Sequence, residues 1–279
     1  MGNPQDDYIV GSVVFGNMVF KILLFGLLAD PIEDFRYLRD PTALTEKPVY
    51  TRSWDAFCII RNWRLIGMNV QVANVRPALK VTSRRFILQA LRRAILNFLA
   101  FDALRAFIHT HLHLYLPETA HLQFSPGLHG YLQRSTCTAA YMLTSYFSMN
   151  ALYLIVSMLA VATGLWRPED WSDLLGPGSE AYTVRRLWGR VWHQLLRRHF
   201  APLGKLAVQT LRIPRGTWLS SQVQVHVAFL LSGLLYCLGD IMLGKGFLGI
   251  YSSFMWGEKI PVDDPIPYSP TRALLLPFR

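Results

Sequence analysis

Long apolar runs divide the chain and predict helices that cross a membrane. Three runs supply the length of about 20 largely apolar residues that a helical span needs: Ile9 to Leu28, Thr136 to Leu165, and Val223 to Ile250. A fourth run, Phe86 to Ile108, carries four charged side chains, so it either spans with those charges facing protein or water, or lies flat at the interface. The pattern predicts an all-α, polytopic membrane protein with about four transmembrane helices and additional amphipathic interfacial helices.

The basic residues are distributed as expected for a chain that crosses the membrane four times. Ten Lys or Arg lie between Asp30 and Arg85 and nine between Trp166 and Ser220, whereas the segment from His109 to Ser135 has only Arg134. Positive residues accumulate on the cytoplasmic side of membrane proteins, so we expect the two basic segments to be cytoplasmic and the segment between them to be lumenal. This agreement favours Phe86 to Ile108 as a fourth span.

Composition and charge narrow the class of protein. Hydrophobic residues make up 52 % of the chain and charged residues 16 %, with a formal net charge of +10. The positive charge lies between apolar spans and not on one face of a polar domain, so we expect membrane lipids and no nucleic acid as partners. The three cysteines lie far apart without CxxC spacing, which argues against a disulfide framework or a zinc site.

The predicted lumenal segment is rich in histidine. On a helix His109 and His113 would align while His111 would point the opposite way, and few other ligands lie nearby. We therefore expect no metal site there.

The second basic segment contains the sequence RRLWGRVWHQLLRRHF, Arg185 to Phe200. At 100° per residue, four polar side chains form one stripe of a helix: Arg186, Arg190, His193 and Arg197. Trp188 and Trp192 fall on the opposite, apolar side, and Ser179 is a candidate cap for a helix that begins near Glu180. The stripe either faces lipid phosphates or grips the phosphates of a soluble anionic substrate, which the planar guanidinium group bonds bidentately.

The last apolar run has a polar face of its own. Five residues fall within roughly 80° of one side of a helix: Gln222, His226, Gly233, Tyr236 and Asp240. Ionisable groups are costly inside a membrane, so this face indicates either a functional site or a helix-packing surface with small residues.

Three segments resemble the fungal, wax-synthase-like branch of the membrane-bound O-acyltransferases, many of which look like acetyltransferases acting on terpenoid or meroterpenoid alcohols in secondary metabolism. The segments are RNWRLIGMNVQVANVRP from Arg61, SEAYTVRRLWGRVWHQLLRR from Ser179, and FLLSGLLYCLGD from Phe229. The second resembles the family's pattern of an aromatic–tryptophan pair followed by Trp-His, with Leu187 in place of the usual aromatic. In the third, Tyr236 stands where the family has a histidine, which is taken as the general base for the acceptor alcohol.

The resemblance implies an activity and a location. It implies a single O-acyltransferase-like domain over residues 1–279, integral to the membrane of the endoplasmic reticulum and lacking terminal helices of the full family. The enzyme would move an acetyl group from acetyl-CoA, a co-substrate and not a bound cofactor, to the hydroxyl of a hydrophobic terpenoid or meroterpenoid acceptor. No resident cofactor is implied.

The resemblance also implies roles for particular residues. Five side chains would hold the CoA, three of them at its phosphates: Arg186, Arg190 and Arg197, with Trp188 and Trp192 beside them. His193 would position the substrates or transfer a proton, and Tyr236 and Asp240 would line the chemical centre. A phenol with a reference pKa of about 10 is a poor base near neutral pH. Two alternatives therefore stay open: a truncated, non-catalytic homologue or pathway scaffold, and a membrane terpenoid cyclase with Asp240 or Glu180 as its acid.

Overall fold

The computed structural model describes residues 8, 10–28, 34–40, 42–76, 80–115, 127–183, 186–192 and 194–243. Within these ranges the regular structure is helical, and the only β-pairing there is two isolated bridges at Tyr37. The predicted all-α class is therefore confirmed for the part of the chain that the structure describes.

The α-helices are, in chain order, α1 (Asn17–Leu23), α2 (Val49–Arg61), α3 (Ser83–Thr110), α4 (Leu128–Ala162), α5 (Arg197–Thr210) and α6 (Trp218–Met242). Two π-helical segments, Val10–Gly16 and Leu24–Leu28, extend α1 on both sides. Residues 10–28 thus form one continuous helical run, which matches the first predicted apolar stretch.

Two of the predicted spans are confirmed as helices long and apolar enough to cross a membrane, namely α4 and α6. α4 begins eight residues before the predicted start and ends at Ala162, shortly before Gly164, whose φ of 75° suits a helix end that glycine favours. α6 begins five residues early, because the hydroxyl of Thr217 accepts a hydrogen bond from the backbone N–H of Ser220 at 3.2 Å. The last residues of that predicted span, 244–250, lie outside the described residues.

The other two predicted spans are helical, but one is shorter than a membrane-spanning helix and the other is less apolar. The run around α1 is apolar from Gly11 to Gly26 but short. α3 covers the whole of the fourth predicted span in 28 residues, and its charged side chains keep it out of the class of apolar spanning helices. Whether these two helices cross the membrane stays a prediction.

α3 and α4 pack against each other in opposite directions. Phe86, Ala90 and Ala94 of α3 form a buried cluster with Leu154 and Val161 of α4. Further along, the side-chain amide nitrogen of Asn150 donates to the side-chain oxygen of Asn97 at 2.9 Å, which links the two helices by a polar contact.

A second group of helices packs around α6. Residues 10–16 approach α6 so closely that a Cβ built on Gly11 would lie 2.6 Å from the carbonyl oxygen of Leu238. Phe20 of α1, Phe200 of α5 and Leu235 of α6 form one buried cluster, with the first two rings edge to face at 5.3 Å. Three segments that are distant in the sequence therefore meet at the middle of α6.

A buried arginine joins the two basic segments. Arg64 is 3 % exposed, and its guanidinium group donates to the carbonyl oxygens of Asp173 at 2.6 Å and Ser172 at 2.8 Å. It also donates to the Tyr153 hydroxyl at 2.6 Å, and that hydroxyl in turn donates to the Ser172 carbonyl at 2.7 Å. The two segments predicted to share the cytoplasmic side thus pack against each other at one end of α4.

Candidate functional site

The arginine- and tryptophan-rich segment is not one helix, so that prediction is wrong. A π-helical turn covers Leu187–Val191 and stops at Trp192, whose backbone is extended, and α5 begins only at Arg197. Ser179 does not cap a long helix either, because it lies in the short 3₁₀ turn Gly178–Glu180, where no side-chain cap bond forms. His193 lies outside the described residues.

Hydrogen bonds from outside the turn explain why the helix stops. The side-chain amide of Gln194 donates to the carbonyl oxygens of Trp188 at 3.2 Å and Trp192 at 2.8 Å. The backbone N–H of Gly176 donates to the carbonyl oxygen of Val191 at 2.8 Å. These carbonyls would otherwise accept bonds from the next helical turn, and Gly189 at the centre has a low helix propensity. We refer to residues 187–192 as the arginine–tryptophan turn.

The three predicted phosphate-binding arginines divide into a pair and a single residue. Arg186 and Arg190 both approach the carboxylate of Glu180, at 3.8 Å and 3.4 Å, and all three side chains are partly exposed. Arg197 instead donates to the carbonyl oxygen of Gly189 at 3.0 Å and to Gln194 at 2.9 Å. The structure therefore brings Arg186 and Arg190 together around one carboxylate, whereas Arg197 supports the backbone of the turn.

The two tryptophans dock the turn on α6. The Trp188 ring packs edge to face on Trp192 at 5.6 Å and on Phe229 of α6 at 5.8 Å. Phe229 precedes Tyr236 by seven residues, which is about 10 Å along a helix. The aromatic contact thus fixes the arginine pair relative to the helix that carries the predicted chemical centre.

The polar face of α6 is divided between the interior and the surface. Asp240 is completely buried, and Tyr236 is partly buried, with its ring parallel to that of Tyr8 at 6.3 Å. Tyr236 also packs against the cluster formed by Phe20, Phe200 and Leu235. His226, one of the five residues on this predicted face, is exposed. The inward-facing part is therefore the end with Tyr236 and Asp240.

A buried histidine on α5 was missed by the sequence analysis. His199 of α5 is 3 % exposed, and its Nδ1 has no hydrogen-bond partner among the described residues. Burial, together with the nearby positive charges of Lys21 and Arg198, lowers the pKa of His199 to about 4. On the helical count from Arg186 it falls opposite the arginine stripe, so a histidine on the apolar side was the signal available.

The histidine-rich segment and its neighbours do not assemble a metal centre within the described ranges, where no three His, Cys, Asp or Glu residues are grouped suitably. His111 bonds locally instead, with its Nδ1 2.9 Å from the carbonyl oxygen of Phe107. Residues 116–126, which include His121, are outside the described part of the chain.

Comparison with known proteins shows which family this part of the sequence resembles. Residues 171–256 match the membrane bound O-acyl transferase family, so the match contains the arginine–tryptophan turn, α5 and α6. Over 103 residues, 37 % of this chain, the sequence is 40 % identical to the acetyltransferase ple2 of Rhodocybe pseudopiperita and covers 27 % of that protein. It is 25 % identical to the acetyltransferase eriL of Hericium erinaceus over 243 residues, which are 86 % of this chain and 62 % of that protein.

A third relative is the acetyltransferase spyB of Aspergillus fumigatus, which is 38 % identical over 93 residues, 33 % of this chain and 16 % of that protein. The chain thus spans between 16 % and 62 % of the length of these three relatives. No solved structure matches it. Over residues 171–256 the chain is therefore similar to the membrane-bound O-acyltransferase family, in agreement with the resemblance stated from its sequence segments.

Proposed function

We propose that this chain catalyses acetyl transfer from acetyl-CoA to the hydroxyl of a terpenoid or meroterpenoid alcohol, as an integral protein of the endoplasmic reticulum membrane. One observation supports this most strongly. The segment that matches the family carries, as one packed unit, both the arginine pair at Glu180 and the buried Tyr236–Asp240 end of α6. The contact between Trp188 and Phe229 connects the two.

In the proposed topology, residues 10–28, α3, α4 and α6 cross the membrane, and the basic segments lie on the cytoplasmic side. α5 lies at the interface, because it buries His199, Phe200, Gly204 and Val208 on one face only. The charged donor then reaches the arginine pair from the cytoplasm, while the apolar acceptor enters from the bilayer. In this arrangement the charged donor stays in water and the apolar acceptor stays in the lipid.

The arginine pair is suited to the phosphates of the donor. Arg186 and Arg190 already share one carboxylate, and phosphate oxygens would take the place of the Glu180 oxygens as acceptors of the same N–H groups. Phosphate carries more charge than carboxylate and accepts two parallel bonds from one guanidinium group. Trp188 and Trp192 hold the turn that presents these arginines, and Arg197 fixes its backbone.

The chemical step requires removal of one proton and stabilisation of one developing negative charge. The acceptor hydroxyl loses its proton to a base while its oxygen forms a bond to the thioester carbonyl carbon; the C–S bond then breaks and the CoA sulfur takes a proton. Tyr236 is a poor base as a neutral phenol, so His193, in the segment that resembles the family's Trp-His motif, is our candidate for the proton transfer. Tyr236 and Asp240 would then orient the acceptor by hydrogen bonding.

The test is the mass of the product that microsomes expressing the chain form from acetyl-CoA and a panel of terpenoid alcohols. We expect acetylated product from the wild type and loss of turnover in His193→Ala. Tyr236→His should raise turnover, by up to about 10² to 10⁴, because an imidazole near pH 7 accepts the proton that a phenol does not. Arg190→Ala should raise the KM for acetyl-CoA but not for the alcohol, whereas Arg215→Ala, the same change at an exposed residue before α6, should alter neither.

Tyr236 also favours the second candidate, a non-catalytic scaffold, because the family's histidine is replaced at that point. Absence of acetylated product from both the wild type and Tyr236→His would contradict the proposed activity and support the scaffold. A product of unchanged mass but altered retention would instead indicate the cyclase alternative, with Asp240 or Glu180 as the acid.

A further inference from the structure

A cavity of about 270 Å³ lies between Arg76, α3, α4 and the segment at residues 171–173, and no residue of α6 or of the arginine–tryptophan turn lines it. This volume is close to the lower end of the range of about 300–1,000 Å³ that ligand pockets occupy. Apolar and polar side chains share the wall, which consists of Arg76, Phe86, Gln89, Ala90, Arg93, Tyr153, Leu154, Ser157, Trp171, Ser172 and Asp173. None of the predicted site residues lines this cavity.

The charges in the wall favour an anionic ligand. Arg76 and Arg93 are both half exposed, and both approach Asp173: Arg93 at 2.7 Å and Arg76 at 3.8 Å. Two guanidinium groups against one carboxylate leave an excess of positive charge, and the buried Arg64 bonds to the backbone of the same segment. Each guanidinium group has five N–H donors, so Asp173 uses only part of the donor capacity of the two arginines.

The wall also contains polar atoms that the described residues do not satisfy. The indole Nε1 of Trp171 and the hydroxyl of Ser172 are both buried, without a hydrogen-bond partner in the described part of the chain. Ser172 as a whole is 2 % exposed. Because neither atom is exposed to the cavity, the donors available to a ligand there are the half-exposed guanidinium groups of Arg76 and Arg93.

We propose that this cavity binds a phosphate group, with Arg76 and Arg93 as its charged partners and the apolar wall around Phe86 and Leu154 receiving the adjoining carbon atoms. In the proposed topology the cavity lies at the cytoplasmic ends of α3 and α4, where two sources of such a group are available. One is the headgroup of an anionic lipid. The other is the nucleotide part of the acyl donor, and this assignment rests on the proposed function.

Binding should be measured on the full chain in detergent, in the absence of any acceptor alcohol. Two pairs of probes separate phosphate from the remainder of each molecule: adenosine 3′,5′-bisphosphate against adenosine, and dihexanoyl phosphatidic acid against the corresponding diacylglycerol. We expect at least one phosphate-bearing probe to bind and its uncharged counterpart not to bind. Binding of the nucleotide identifies the acyl donor as the source, and binding of phosphatidic acid alone identifies a lipid site.

Substitutions then locate the binding. Arg93→Gln should weaken the dissociation constant of the phosphate probe roughly tenfold or more, because it removes a charge-assisted hydrogen bond. Arg92→Gln is the matched control, since it makes the same change at the adjacent, exposed residue of α3 that does not line the cavity. Arg76→Gln is a second variant that leaves the closer Arg93–Asp173 pair intact. It should also weaken binding of the phosphate probe, so the proposal can be tested even if Arg93→Gln does not fold.

Equal effects of Arg92→Gln and Arg93→Gln would overturn the proposal, because they would indicate non-specific attraction to the basic surface. Failure of both phosphate probes to bind would overturn it as well. The binding measurement does not involve acetyl transfer, so it tests the cavity separately from the proposed reaction. If the chain binds the phosphate probe through Arg93 but forms no acetylated product, the cavity site is supported and the proposed reaction is rejected.

Discussion

Lowering the pH from 7.5 to 5.0 should destabilise the folded chain through His199. This side chain is 3 % exposed, and its charged neighbours are Lys21 of α1 and Arg198 of its own helix, both positive. The folded structure therefore disfavours the protonated imidazole, and its pKa falls to about 4 from a reference value near 6.5. The unfolded chain takes up the proton first as the pH falls, so acid shifts the equilibrium toward unfolding.

The size of the effect follows from the two pKa values. Above pH 6.5 His199 is neutral in both states and contributes no pH dependence. Between pH 6.5 and about 4 the stability falls, in total by about 3 kcal/mol at roughly 1.4 kcal/mol per tenfold change in proton affinity. At pH 5.0 the loss is about 2 kcal/mol, which lowers the melting temperature of a protein of this size by about 4–8 °C. Asp40, whose pKa is lowered to about 2, titrates below this window.

Thermal unfolding in detergent at the two pH values measures this directly. The variant His199→Gln cannot be protonated, so its melting temperature should change between pH 7.5 and 5.0 by about 4–8 °C less than that of the wild type. The control is His226→Gln, which removes an exposed histidine of α6 and should keep the wild-type pH dependence. If His199→Gln and the wild type lost the same stability on acidification, the assigned environment of His199 would be wrong.

Two further predictions concern packing and topology. Gly11→Ala should destabilise the chain by about 1–3 kcal/mol in thermal unfolding, because the new Cβ would meet α6 backbone, whereas Gly26→Ala, with no atom within 4 Å of its Cβ, should be neutral or slightly stabilising. An accessibility tag inserted after Gly178, where space is open, should be labelled from the cytosolic side of intact microsomes, and a tag at Gly127 only after permeabilisation. Labelling of both tags from the same side would mean that α4 does not cross the membrane.

The spans could be predicted from the sequence because their cause is local. An apolar run of about 20 residues has few ways to satisfy its own backbone in lipid, and a helix is the simplest. α4 and α6 accordingly lie where the apolar pattern placed them. α6 begins earlier than predicted because polar residues such as Ser220, which are uninformative in a hydropathy pattern, continue the helix back to a capping threonine.

The arginine–tryptophan turn could not be predicted, because its cause is not local. Helical periodicity assigns one stripe to Arg186, Arg190 and Arg197 only if the backbone continues as a helix. That continuation is prevented by the backbone N–H of Gly176, eleven residues before Leu187, and by the side chain of Gln194. A periodic pattern contains no information about which distant donor will occupy a carbonyl oxygen.

The same distinction separates the two anion-binding surfaces that we propose for the chain. Arg186 and Arg190 are close in sequence, so a pattern suggested their common role even though it assigned them to the wrong backbone. The cavity between Arg76, Arg93 and Trp171 joins segments separated by nearly eighty residues, and only the packing of α3 against α4 brings these side chains together. Arg64 bonds to the Ser172–Asp173 backbone and to the Tyr153 hydroxyl, and all three of these residues line the cavity, so the buried arginine positions part of the cavity wall as well as joining the two basic segments.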